Sequence, residues 1–116
     1  MGRIVIVAYR PKAGQQAALE ALMRRHHQRL HAKGLVTERT PVLMRAGDGT
    51  VVEVFEWRSK EAMQRAHDNP RVQQMWSEYG AACDYVPLAE VPEARELFAE
   101  FEPMHIDEPL RPELSP

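Results

Sequence analysis

The sequence predicts a small α+β domain in which strands and helices follow the order β-α-β-β-α-β, with a further helix at the C-terminal end. Three observations carry this. A β-branched run of about eight residues opens the chain and is followed by a stripe of apolar residues at helical spacing. A Gly-Asp-Gly turn sits between two more strand-like runs. A second helical stretch then leads into a short run broken by proline.

Arg3 to Arg10 has apolar side chains on both faces and reads as a central strand. Pro11-Lys12-Ala13-Gly14 breaks it. In the helix expected from about Gln15 to Lys33, Leu19, Leu22, Met23, His26 and Leu30 share one stripe, and Gly34 supplies the stop. Pro41 to Arg45 and Thr50 to Trp57 form a hairpin around Ala46-Gly47-Asp48-Gly49. Ser59 is placed to cap a helix that runs to about His67. Asn69-Pro70 then restarts a helix to about Ala82, because proline is tolerated at the first helical position. Tyr85 to Ala89 can supply a fourth strand, which Pro87 confines to an edge or to an irregular segment. A short helix is expected over Pro92 to Phe101, with Leu97, Phe98 and Phe101 as its apolar face. The domain therefore covers residues 1–102, and the proline-rich stretch 103–116 reads as a tail.

This order is ferredoxin-like. Two helices cover one face of a four-stranded sheet, yet the first and third strands are apolar on both faces. No further cover is visible in the chain, so a second copy is expected on the open face, giving a homodimer. Glu56 points to that face and is expected to pair across the dimer.

Composition narrows the function. A length of 116 residues leaves room for one core, and 44% hydrophobic with 28% charged residues fits a globular protein. A net charge of −2 without a basic cluster argues against nucleic acid. No apolar run reaches the ~18 residues a membrane span needs, and the N-terminus lacks a signal pattern. A single cysteine, Cys83, forms no internal disulfide, and a cytoplasmic location is expected. Cys83 has no local cation and reads as structural.

The candidate chemistry rests on imidazoles, one carboxylate and a set of rings. His67, just before the helix break, reads either as a general base or as a helix C-terminal group favoured by the dipole. His26 lies on the apolar stripe and so faces the sheet, as a core residue or as a second proton-handling group. Glu53 shares a strand face with Phe55 and Trp57, where a carboxylate must find hydrogen-bond donors or be neutralised. Tyr9, Phe55, Trp57, Trp76 and Tyr79 are candidates for the walls of a pocket for a flat aromatic ligand, and equally for packing. His27 and His31 are spaced as a metal pair, but no acidic residue beyond Glu20 shares their helix, and a solvated face is expected. No metal or other cofactor is expected.

The stretch from Val51 to Ala62 (VVEVFEWRSKEA), followed by Ala66-His67-Asp68-Asn69-Pro70, resembles the antibiotic-biosynthesis-monooxygenase-like domain of the dimeric α/β barrel superfamily. The resemblance lies in a strand ending on an aromatic, a Ser-x-x-Ala helix start, and a helix closing on His before a proline turn. In element order it covers residues 3 to 89. It implies a homodimer and, for the oxygenase members, cofactor-independent oxidation of quinol-like polyketides. Two departures matter. The position two before the strand-ending aromatic, often Glu in such domains, is Phe55, with Glu53 and Glu56 flanking it. The first strand has no Asn and residues 71 to 82 have no His, which argues against haem degradation. Two functions follow: a cofactor-free oxygenase using His67, with help from His26 or Glu53, or a non-catalytic ligand-binding or structural dimer.

Overall fold

The computed structural model describes residues 1–105. The elements are β1 (Arg3–Pro11), α1 (Gln16–His31), β2 (Val42–Arg45), β3 (Val51–Trp57), α2 (Lys60–Asp68), α3 (Pro70–Ala82), β4 (Cys83–Val86) and β5 (Glu102–Met104). The strands form one antiparallel sheet in the order β4-β1-β3-β2-β5. The first four strands and the three helices are compatible with a ferredoxin-like fold, with β5 added at the β2 edge.

The local signals explain the element boundaries. Gly34 and Gly49 adopt φ of 70° and 92°, which glycine enters without steric cost, and they end α1 and close the β2–β3 turn. Ser59 Oγ accepts the Ala62 amide at 3.0 Å. Asn69 Oδ1 accepts the amides of Arg71 and Val72 at 2.9 and 3.2 Å, so it satisfies two of the free donors at the start of α3.

One sheet face carries the main core. Leu19, Met23 and Leu30 from α1, Ala62 and Ala66 from α2, and Val72, Met75 and Tyr79 from α3 pack on Val51, Phe55 and Trp57. Two cross-links tie α1 to α3: the Tyr79 hydroxyl donates to the Leu22 carbonyl at 2.9 Å, and Arg29 pairs with Glu78 at 2.8 Å.

The C-terminal segment differs from expectation in three ways. The helix expected over Pro92 to Phe101 does not form. Instead Leu88–Glu90 and Pro92–Arg95 make two short 3₁₀ turns, and Leu97 and Phe98 are exposed. A ten-residue helix has little stability of its own in water; the segment instead spreads Leu88, Val91, Ala94 and Phe101 over the outer sheet face, against Ala8, Val52 and Met44. Second, Pro103 and Met104 belong to β5, while the rest of the expected tail, 106–116, lies outside the described residues. Third, the fourth strand is Cys83–Val86, two residues earlier than expected, because Pro87 ends the pairing with β1.

The outer face therefore has partial cover from its own chain. The row Ala8–Val52–Met44 lies beneath the folded-back segment. The next row along the strands, Ile6–Val54–Val42, does not: Ile6 and Val42 are about half exposed, as is Ile4. Glu56 on this face is held within its own chain, by Thr37 Oγ1 at 2.8 Å and Arg39 Nε at 3.1 Å, and these bonds hold its carboxyl below the usual range.

Replacing Asn69 by Ala leaves the Arg71 and Val72 amides without their acceptor. Urea unfolding should show a loss of about 1 kcal/mol, and an unchanged midpoint would mean that water serves the α3 terminus equally well.

Candidate functional site

Strand alternation places Val5, Val7 and Tyr9 of β1 and Glu53, Phe55 and Trp57 of β3 on the helix side of the sheet. Between that face and the helices lies a cavity of about 400 Å³, which also takes in His26 from α1, Met63 and His67 from α2, Trp76 from α3 and Tyr85 from β4. Its walls are mostly apolar, and the residues lining it include no Lys, Arg, Asp or Glu.

Beneath the floor lies Glu53, 1% exposed. Its carboxylate accepts the Tyr9 hydroxyl at 2.8 Å and lies 3.0 Å from His26 Nδ1 through either oxygen. Among the described residues no Lys or Arg pairs with it. Burial, reinforced by the charge of Glu53, pushes the Tyr9 phenol well above its ordinary range. Its hydroxyl thus stays protonated and acts as donor. The His26 ring is wedged by Phe55 in an edge contact at 5.4 Å and by Tyr79 at 5.3 Å. With Nδ1 engaged by Glu53, Nε2 is the remaining nitrogen of a ring that lines the cavity.

His67 sits at the opposite end of the polarity scale. It is exposed, and its ring lies 5.1 Å from that of Trp76 at the cavity rim. The two histidines that sequence spacing alone left unrelated therefore line one cavity. Phe55, Trp57 and Trp76 are wall residues. Tyr9 contributes its ring to the floor while its hydroxyl turns away to Glu53. Tyr79 is not a wall residue: fully buried, it stands behind Tyr9 and His26 and spends its hydroxyl on Leu22.

Val5, Val7, Met63 and Tyr85 also line the cavity and were not anticipated. The alternation along β1 contained the signal for Val5 and Val7, since both share a face with Tyr9. Tyr85 sits opposite Tyr9 in the β1–β4 register, with ring centroids 5.3 Å apart, a pairing that needs the strand register to be seen.

The remaining candidates lie elsewhere. His27 Nε2 lies 3.0 Å from the Thr37 carbonyl, and His31 Nε2 lies 2.5 Å from a Glu38 oxygen. Among the described residues no group of three metal-ligating side chains occurs. Among the described residues no helix is long and apolar enough to cross a membrane. Comparison with protein-family models, with curated proteins and with solved structures finds no match to this chain.

Chemically, the site is an apolar slot with an imidazole nitrogen at its floor, held in place by a buried carboxylate. Cys83 lies outside this chemistry: burial, with Asp84 beside it, raises its thiol to about 11. At pH 8 its thiolate fraction should be roughly a hundredfold below that of an ordinary thiol, so iodoacetamide should modify it only on unfolding. By linkage, the neutral thiol favours the folded state below pH 9, and this contribution fades as pH rises towards 11. Rapid alkylation of the native protein at pH 8 would contradict this placement.

Proposed function

We propose that the chain is a small homodimeric protein of the monooxygenase-like kind, acting as a cofactor-independent oxygenase on a planar, quinol- or polyketide-like molecule. The observation that carries the reading is His26, seated on a buried Glu53 with its second nitrogen facing an apolar, ring-lined cavity. A flat phenol or enol fits between Trp76, Phe55 and Trp57, and His26 Nε2 takes its acidic proton. The resulting carbanion-like ring supplies the electrons to dioxygen. One oxygen atom is retained as a new carbonyl and the other leaves as water, so that a ring CH₂ and O₂ become C=O and H₂O. The proton held on His26 Nε2 is returned to the departing oxygen, which leaves as water, and His67, at the rim beside Trp76, donates a hydrogen bond to the bound oxygen species.

Dimerisation is proposed through the outer sheet face. The uncovered row Ile6–Val54–Val42 continues directly from the row that the chain covers itself, and Ile4 extends it. A second copy laid sheet to sheet removes these side chains from water. A second reading, a binding protein without catalysis, is favoured by one observation: the rim is open, with Tyr85 49% exposed and His67 exposed beside it, whereas oxygen chemistry on a carbanion gains from excluding water.

Oxygen uptake with a naphthoquinol or an anthrone tests the enzyme. His26→Ala should cut kcat by roughly a hundredfold or more, with His67→Ala costing less, about tenfold. No uptake by the wild type above the buffer rate leaves the binding reading. Sedimentation at micromolar concentration should give a dimer, and Ile6→Glu should give a folded monomer. A wild-type monomer would remove the sheet-face interface.

A further inference from the structure

The acceptor role given to His26 Nε2 above requires its proton to sit on Nδ1, and the surroundings of Glu53 decide where that proton lies. Tyr9 can only donate to Glu53, because its hydroxyl is held protonated by burial. One carboxylate oxygen is thereby an acceptor already. The same oxygen and its neighbour both lie 3.0 Å from His26 Nδ1. Glu53, with no Lys or Arg paired to it among the described residues, needs hydrogen-bond donors, and the second donor within reach is a proton on Nδ1. In water a neutral histidine side chain prefers the opposite form, with the proton on Nε2. The buried pair therefore reverses the ordinary preference.

We infer that Glu53 and Tyr9 lock His26 as its Nδ1–H tautomer, so that the cavity floor is a hydrogen-bond acceptor and the site selects flat ligands that donate an O–H or N–H to Nε2. Glu53 and Tyr9 are then positioning residues that act through His26. The selection is sharp because the lining side chains of Val5, Val7, Phe55 and Met63 offer nothing polar in compensation. A ligand of the same shape that lacks the donor leaves Nε2 dry and unpaired, which costs the full desolvation of that nitrogen. The inference rests on the cavity assigned above, but it requires no oxygen chemistry.

Two measurements on the wild-type protein test it. In ¹⁵N-histidine-labelled protein, long-range ¹H–¹⁵N correlation at pH 8 should show His26 with a pyrrole-like Nδ1 and a pyridine-like Nε2. Assignment comes from the signal lost in His26→Leu. Quenching of Trp57 and Trp76 fluorescence then compares 1-naphthol with 1-methoxynaphthalene, which has the same ring system and no donor. The naphthol should bind about tenfold more tightly. That difference should vanish in His26→Leu and shrink in Glu53→Gln, where the amide relaxes the tautomer. An Nε2–H signal for His26 overturns the lock, and equal binding of the two compounds, or binding of neither, overturns the selection. Both readouts are made without turnover. A protein with no oxygenase activity can satisfy them, and an active oxygenase can fail them, so the two readings fall separately.

Discussion

The buried carboxylate of Glu53 is the constraint around which the rest of this structure is arranged. A carboxylate removed from water is costly unless its lone pairs are satisfied, and no Lys or Arg among the described residues offsets its charge. The two donors that satisfy it come from different elements, Tyr9 on β1 and His26 on α1, so the residue joins three segments far apart in sequence. Register matters here. Val7 lies opposite Glu53 in the β1–β3 pairing, and Tyr9 two residues further on faces the same side. A one-residue slip of β1 would turn Tyr9 outward and strand the carboxylate. Such a polar network disfavours alternative pairings that an all-apolar sheet face would tolerate.

The same arrangement divides the cavity into a fixed floor and an open rim. Tyr9, His26, Glu53 and Tyr79 are almost wholly buried, with each ring in contact with another. His67 and Tyr85 sit at the surface, one on a short helix and one on a four-residue edge strand. The buried end of the cavity is thus held by packing and hydrogen bonds, while its mouth lies at the surface.

Much of the architecture was legible because it depends on local patterns. The apolar stripe of α1, the Gly-Asp-Gly turn, the Ser59 cap and the Asn69-Pro70 restart each express short-range physics that needs no knowledge of the fold. The stripe also placed His26 inward, and strand alternation placed Glu53 beside Phe55 and Trp57. What could not be read was the contact between them, since His26 and Glu53 are 27 residues apart and meet only through the packing of α1 on β3. The C-terminal segment failed for the complementary reason. Leu97, Phe98 and Phe101 have helical spacing, but the outer sheet face competes for the chain, and the competition was won by Val91, Ala94 and Phe101 lying over Ala8 and Val52. For Tyr79 the spacing allows a cavity wall and core packing equally, because a buried ring has the same sequence spacing in both; in the structure it packs behind Tyr9 and His26 with its hydroxyl on Leu22.

That partial cover also bears on the proposed dimer. Had the folded-back segment reached along the whole outer face, a second copy would have had nothing apolar to bury. It ends at the Ala8–Val52–Met44 row, and the uncovered Ile6–Val54–Val42 row lies about two residues, or ~7 Å, further along the strands. Val54 lies back to back with the site, on the strand between Glu53 and Phe55. Burying its row against a second copy would stiffen the strand that carries Glu53. In this fold the uncovered apolar row and the cavity floor are the two faces of one strand, so the association proposed above would act directly on the strand that carries Glu53.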